Sequence, residues 1–224
     1  MHNSVPKVAI QVNENIYLKN PESSELGKRI IAGSIDLIEE LGFESFTFRK
    51  LAKSLDSTEA SIYRYFESKH RLLLYLTVWY WAWMEYRLVF RIANIESPVE
   101  RLKRAVSLLT EQVEEDGSFR HINETKLNRI VICESSKSYL TKAVDRENKE
   151  GVFLDYKSLV GRISEIIKEI NPQYKYPHML ISTVMEGAHL QRFFAEHLPR
   201  LTDQIEGEDA IADFYSEMVL KAIS

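Results

Sequence analysis

The residues whose types and spacing could do chemistry fall into two sets. The first is TFRKLAKSLDSTEASIYRYF, residues 47–66. Two short amphipathic segments flank a tight polar break there, which is the pattern of a helix-turn-helix. Its chemistry would be the reading of a DNA duplex, with hydrogen bonds to base edges from the second segment and to phosphates from its surroundings. Leu51, Leu55, Ile62 and Phe66 can face inward and lock the two helices onto a third. Glu59, Ala60, Ser61, Tyr63 and Arg64 are then left outward. Small Ala60 and Ser61 let the backbone approach bases closely, while Arg49, Arg64, Tyr63, Tyr65 and Lys69 can supply affinity at phosphates. Thr47 and Thr58 are good first residues for the two helices, and the free N–H groups at Thr47-Phe48 suit another phosphate. Two acids, Asp56 and Glu59, stand where a base would be expected. They can favour the positive end of a helix dipole, Glu59 can accept a hydrogen bond from a cytosine amino group, or DNA binding is lost or altered.

The second set is carboxylate and imidazole. Glu67–His70 and Glu186–His189 have the Glu-x-x-His spacing of carboxylate-bridged di-iron bundles. With six His and abundant Glu, two such pairs are close to what chance supplies. Cys133 is the single cysteine and has no His at short spacing. No Gly-rich phosphate loop or Ser-nucleophile elbow appears. The expectation is a protein that is not an enzyme, with no catalytic residue, metal or cofactor. His121, His178 and His197 read as surface or capping residues.

These residues need helices to position them, and helical spacing runs through nearly the whole chain. Residues 1–24 lack it and read as a strand or extended arm, whose basic residues are Lys7 and Lys19. The first helix covers about 25–41, with Ile31, Ile35 and Ile38 in one stripe and Gly42 as its stop. The two helices of the motif follow, the second ending near Phe66. A long helix runs from Ser68 to about Ile92. Further helices cover about 98–115 (stopped at Asp116-Gly117), 126–143, 152–170, 177–197 and 208–222, and the charged stretch 145–151 reads as a loop. The fold class is all-α: a three-helix head with a helix-turn-helix, residues 25–71, and a helical bundle of about six helices, residues 72–224.

Charge agrees with this division. From Ser45 to Arg71 six Lys or Arg stand against three acids, whereas the whole chain is at −4. A locally basic module on an acidic body suits a nucleic-acid contact at one end and excludes binding by bulk charge. No signal peptide and no apolar run long enough for a bilayer are seen, so a cytoplasmic protein without a membrane partner is expected.

In the long helix Trp79, Trp83 and Tyr86 recur at helical spacing among other large apolar residues, so the helix must be deeply packed. These aromatics read as core or as the lining of a pocket for an apolar or aromatic ligand. Tyr139, Phe153, Tyr156, Met185, His189 and Cys133 are further candidates. Near the end, Ile211, Phe214, Tyr215, Met218 and Ala222 form one stripe, and Gly187-Ala188 give the preceding helix a small-residue surface. Two such helices from each subunit could build a two-fold four-helix interface, or they could be ordinary core.

The run TFRKLAKSLDSTEASIYRYFESKHRLL resembles the TetR-type repressor family. The Thr opening the motif, the Leu-Ala of LAKSL, the IYRYF run, and Ser-Lys followed by Leu-Leu carry the likeness, over roughly Ile30 to Leu74. The resemblance implies a homodimer that binds a pseudo-palindromic DNA operator and is controlled by an unknown small-molecule effector. By motif position it assigns Thr47, Tyr63, Tyr65 and Lys69 to phosphates and Glu59–Ser61 to bases. Asp56-Ser57 stand where the family often has Gly-Val, and Glu59 where it often has Lys. The alternative is a helical ligand-binding or protein-interaction module.

Overall fold

The computed structural model describes residues 10–115, 117 and 119–224. Within them every regular element is helical, and the α-helices run in the order α1 Glu25–Ser45, α2 Phe48–Ser54, α3 Glu59–Tyr63, α4 Lys69–Ile92, α5 Pro98–Thr110, α6 Glu124–Glu134, α7 Ser136–Tyr139, α8 Val144–Lys149, α9 Leu154–Ile170, α10 Pro177–His197 and α11 Ala210–Ile223. Most starts are written in side chains. Ser24, Thr47, Thr58, Ser68, Ser97, Asn123 and Asp209 each accept a hydrogen bond from a first-turn N–H, which satisfies a donor that the helix cannot.

α4 is the axis of the molecule. Its 24 residues rise about 36 Å, and every residue from Leu72 to Trp81 is buried. α5 and α9 pack against it, α10 closes over α9 and α5, and α11 closes over α5 and α10. α1 lies against α2 on one side and against α6 on the other, so the head shares a seam with the body. Gly42 takes φ 74 inside α1 and bends its last turn, a conformation that a side chain would strain.

Residues 10–24 form no strand. Short 3-10 turns at Glu14–Ile16 and Pro21–Ser23 carry buried Ile16 onto α4 and buried Pro21 onto α1. The Leu18 N–H bonds the Tyr65 carbonyl at 2.8 Å, and Asn13 and Asn15 bond the Glu150 carbonyl. Lys7 lies outside the described residues.

Three boundaries differ from expectation. α5 ends at Thr110, ahead of Asp116, where the backbone turns extended at Glu111 while its N–H still bonds the Ser107 carbonyl. The segment 126–143 is broken into α6 and α7. The charged stretch 145–151 is helical through Lys149, since Glu147 is drawn inward by His70, 3.0 Å away. Charge alone had marked that stretch as loop; a long-range partner makes it helix.

Candidate DNA-reading face and ligand cavity

The head is built from the inside outward. Ile30, Ile31, Leu51, Ile62 and Phe66 are fully buried, and Leu55 is half-buried beside them. Arg29 donates to the Leu55 carbonyl at 2.5 Å, which ties α1 to the end of α2. Phe48 is buried edge-on to Tyr63, with centroids 5.0 Å apart. Thr47 caps α2 through the Lys50 N–H at 3.2 Å. Thr58 caps α3 through the Ser61 N–H at 3.2 Å, and its hydroxyl also meets that of Ser61.

Asp56 sits in the turn with φ 50. This is the left-handed region that Gly favours and Asp tolerates, so Asp56 makes the turn and does not open the helix. Glu59 is the first residue of α3. It is exposed, as are Thr47, Arg49, Thr58, Ala60, Tyr63 and Arg64, while Ser61 is half-buried.

Two residues expected at phosphates are occupied otherwise. Tyr65 is 3% exposed, and its hydroxyl lies 2.7 Å from that of Ser24. Lys69 donates to the carbonyls of Phe43, Glu44 and Phe46 at 3.1–3.4 Å, closing the end of α1. Sequence spacing put both on the head but could not show that the arm and the end of α1 take them.

In the body a cavity of about 690 Å³ lies between α1, α5, α6 and α10, within the size range of small-molecule sites. Of the aromatic and sulfur-bearing ligand candidates, His189 and Cys133 line it. Trp79, Trp83 and Met185 are buried in the core, the two indoles stacked with centroids 6.2 Å apart. Tyr86 packs on exposed Phe90 outside. Tyr139, Phe153 and Tyr156 flank a separate void of about 10 Å³, room for a water at most. Both tyrosine hydroxyls donate to Glu186 at 2.9 Å. Trp81 stacks between Tyr156 and His189. Burial lowers the His189 imidazole to about 4, against the opposing influence of Glu186.

Sequence reasoning missed the wall supplied by α1, Ile38, Glu39 and Gly42, and the Tyr80–Asn128 pair, hydrogen-bonded at 2.8 Å. Tyr80 stood in the aromatic run of α4. Nothing local marked the α1 residues, whose helical stripe reads as core.

The expected interface stripe divides. Ile211, Tyr215 and Ala188 are buried within the chain, and the Tyr215 hydroxyl fills the space that a side chain at Gly187 would need. Those residues hold α10 to α11. Phe214, 58% exposed, and Ala222 face outward with half-buried Met218, and on α10 Met179 and Leu190 are exposed apolar residues.

An all-α chain with a capped helix-turn-helix at one end and a cavity-bearing helical bundle behind it has, as a class, the architecture of a helix-turn-helix DNA-binding protein. Residues 30–76 match the family model of bacterial regulatory proteins, tetR family. Residues 30–76 therefore form a tetR-type DNA-binding domain at the N-terminal end of the chain. No curated protein matches it in sequence. Among solved structures, a bacterial regulatory protein in the tetR family from Rhodococcus RHA1 is similar, with TM-score 0.62 and 16% identity over 90% of this chain and 98% of that one. The superantigen PfiT shares the fold at TM-score 0.59 and 15% identity, over 91% and 97%. AibR in complex with isovaleryl coenzyme A and operator DNA does so at TM-score 0.55 and 18% identity, over 85% and 97%. Among the described residues no helix is long and apolar enough to cross a membrane.

Proposed function

We propose that the protein is a cytoplasmic, ligand-responsive transcriptional repressor without enzymatic activity. It binds a pseudo-palindromic operator as a homodimer and is released by a small apolar or aromatic molecule. The observation that carries this reading is the sharing of α1: the helix that packs against α2, which in turn holds α3 and its exposed face, is also a wall of the 690 Å³ cavity. Occupancy of the cavity and placement of the head therefore depend on the same element.

On this reading Glu59, Ala60 and Ser61 meet base edges. Thr47, the N–H groups at Phe48, Arg49, Thr58, Tyr63 and Arg64 hold the backbone, and Tyr65 and Lys69 hold the head together. The outward apolar residues of α10 and α11 are covered by the same residues of a second copy, which gives two recognition helices related by a two-fold axis. AibR, of the same fold, is solved with an acyl-coenzyme A and operator DNA, which supports pairing these two kinds of ligand on such a scaffold.

The test is selection from a random duplex pool with a salt titration of what is retained. Enrichment of an inverted repeat whose affinity falls steeply with salt is expected. No enrichment at low salt, from a folded dimer, would favour the interaction-module reading.

A further inference from the structure

We propose that the cavity takes an uncharged, largely apolar molecule, and that this molecule acts on the head by prying the seam between α1 and α6. The inference rests on the proposed effector role of the cavity and adds the ligand's charge class and the route of its action.

The charge class follows from the wall. Among the described residues each guanidinium lining the cavity is already paired: Arg129 with Glu39 at 3.0 Å, and Arg192 with both oxygens of Asp209 at 2.6 and 2.8 Å. Glu111 is held by Arg87 and Arg91, and Glu134 by Lys137. An anionic ligand would have to strip an arginine from its carboxylate and then lie among four glutamates, an arrangement that leaves charges unpaired. A cation meets only Glu196 unclaimed by a basic side chain other than its neighbour His197, and Glu196 lies exposed at the rim, where water screens it. The polar groups left inside are neutral. Asn128 has its oxygen taken by Tyr80 and its amide N–H groups free to donate, and His189 is uncharged at neutral pH. One carbonyl or hydroxyl on an apolar body fits these donors.

The route follows from where the wall is weakest. α1 meets α6 and the start of α7 through a ladder of polar contacts: Asp36 with Lys126 at 2.6 Å, Glu39 with Arg129 and the Phe43 N–H on Glu134 at 3.1 Å along α6, and Glu44 with Lys137 of α7 at 3.0 Å. The three ion pairs lie at the surface and exchange readily with water, and the Phe43–Glu134 bond is the one buried rung. α4, by contrast, gives the cavity only Tyr80 and is packed along its length. A molecule seated between Ile38, Gly42, Ile130 and Cys133 therefore moves the end of α1 more easily than it moves α4. That end carries Lys69 and, two residues on, the cap of α2.

Two fluorophores with one skeleton separate the outcomes: uncharged N-phenyl-1-naphthylamine and its sulfonate, 1-anilinonaphthalene-8-sulfonate. Cys133 lines the cavity, is exposed and is the only thiol, so its protection from maleimide reports occupancy of this cavity alone. The uncharged dye is expected to protect Cys133 at about tenfold lower concentration than the sulfonate. It is also expected to speed amide exchange at residues 43–46 by about tenfold, leaving exchange in 72–81 unchanged. Equal or better protection by the sulfonate overturns the charge class. Protection without faster exchange at 43–46, or with exchange rising in α4 instead, overturns the seam and leaves the effector cavity standing. If neither dye protects Cys133, the effector reading of the cavity itself fails, and this inference fails with it.

Discussion

The proposed recognition face and the cavity are made in opposite ways. The recognition face is the work of twenty consecutive residues, 47–66, in which two threonine caps and one left-handed aspartate set two helices at a fixed angle. The cavity is assembled from residues as far apart as Ile38 and His197, on five helices. The first depends on local chemistry and a few buried anchors. The second depends on how long helices come to rest against each other, and its polar wall is held by pairs that cross between them. A fold that joins the two can change its cavity freely while its recognition face stays recognisable, as long as the shared helix α1 keeps both contacts.

The largest expected effect breaks the local side of this contrast. Ile62 is the fully buried anchor of α3, and Ile62→Ala should cost about 3 kcal/mol through lost burial and a cavity. Because α3 is only five residues long, the loss should fall on the head. DNA binding is expected to disappear while the tryptophan fluorescence of α4 keeps its native unfolding midpoint. Equal loss at both probes would show that head and body unfold as one, and the contrast would then describe assembly but not stability.

The cavity side is tested by pH. Burial holds His189 uncharged in the fold down to about 4, whereas the unfolded chain takes up its proton near 6.5. The unfolded state thus binds more protons between these values. Stability is complete above about 6.5, declines as the pH falls toward 4, and declines no further from this group below that, by up to about 3 kcal/mol. His189→Gln should flatten that part of the profile in urea unfolding followed at pH 4.5 and 7. An unchanged slope would show that Glu186, beside it, compensates the charge.

How much of this was legible beforehand follows the same division. Thr47, Thr58, Ser68, Pro98 and Pro177 announce helix starts, because a cap or a fixed φ acts within one turn. The inward faces of Leu51, Ile62 and Phe66 follow from period alone. The aromatic run of α4 announced burial equally clearly, yet it could not say against what. Trp79 and Trp83 stack on each other, and the open space lies on the far side of Tyr80. Tyr65 and Lys69 show the limit inside the head itself: their motif positions were plain, but Ser24 and the carbonyls after Gly42, which take them, come from other segments.

Arg64 offers a sharper test of the face. It is exposed just past α3 and makes no ion pair among the described residues. Arg64→Ala should weaken binding to the selected operator by about 1–2 kcal/mol and reduce the salt slope by about one. Glu59→Gln, at the other end of α3, leaves the charge of the residues proposed to meet phosphates unchanged. It should relax the preference at one base pair if the carboxylate reads cytosine, and change affinity equally for all sites if it only favours the helix dipole.

The smallest expected effect is the one that bears on how the two regions communicate. Glu39 belongs to α1, faces the cavity and holds Arg129 of α6 at 3.0 Å, with both partners reaching solvent. Pairs of this exposure contribute about 0–1 kcal/mol, so Glu39→Gln should barely move the unfolding midpoint. Its effect on coupling should be distinct. If the pair is a latch between head and body, loosening it brings the free protein nearer to its ligand-bound form. Operator affinity then falls a few-fold without ligand, and the further fall on adding an uncharged ligand shrinks by the same factor, because the two equilibria are linked. A variant whose operator affinity and ligand response both match the wild type would mean that α1 is held by burial of Ile38 and the remaining rungs to Lys126, Glu134 and Lys137, without need of this pair. The cavity would then have to speak to the head through α4, the one remaining element that runs unbroken from Lys69 into the body.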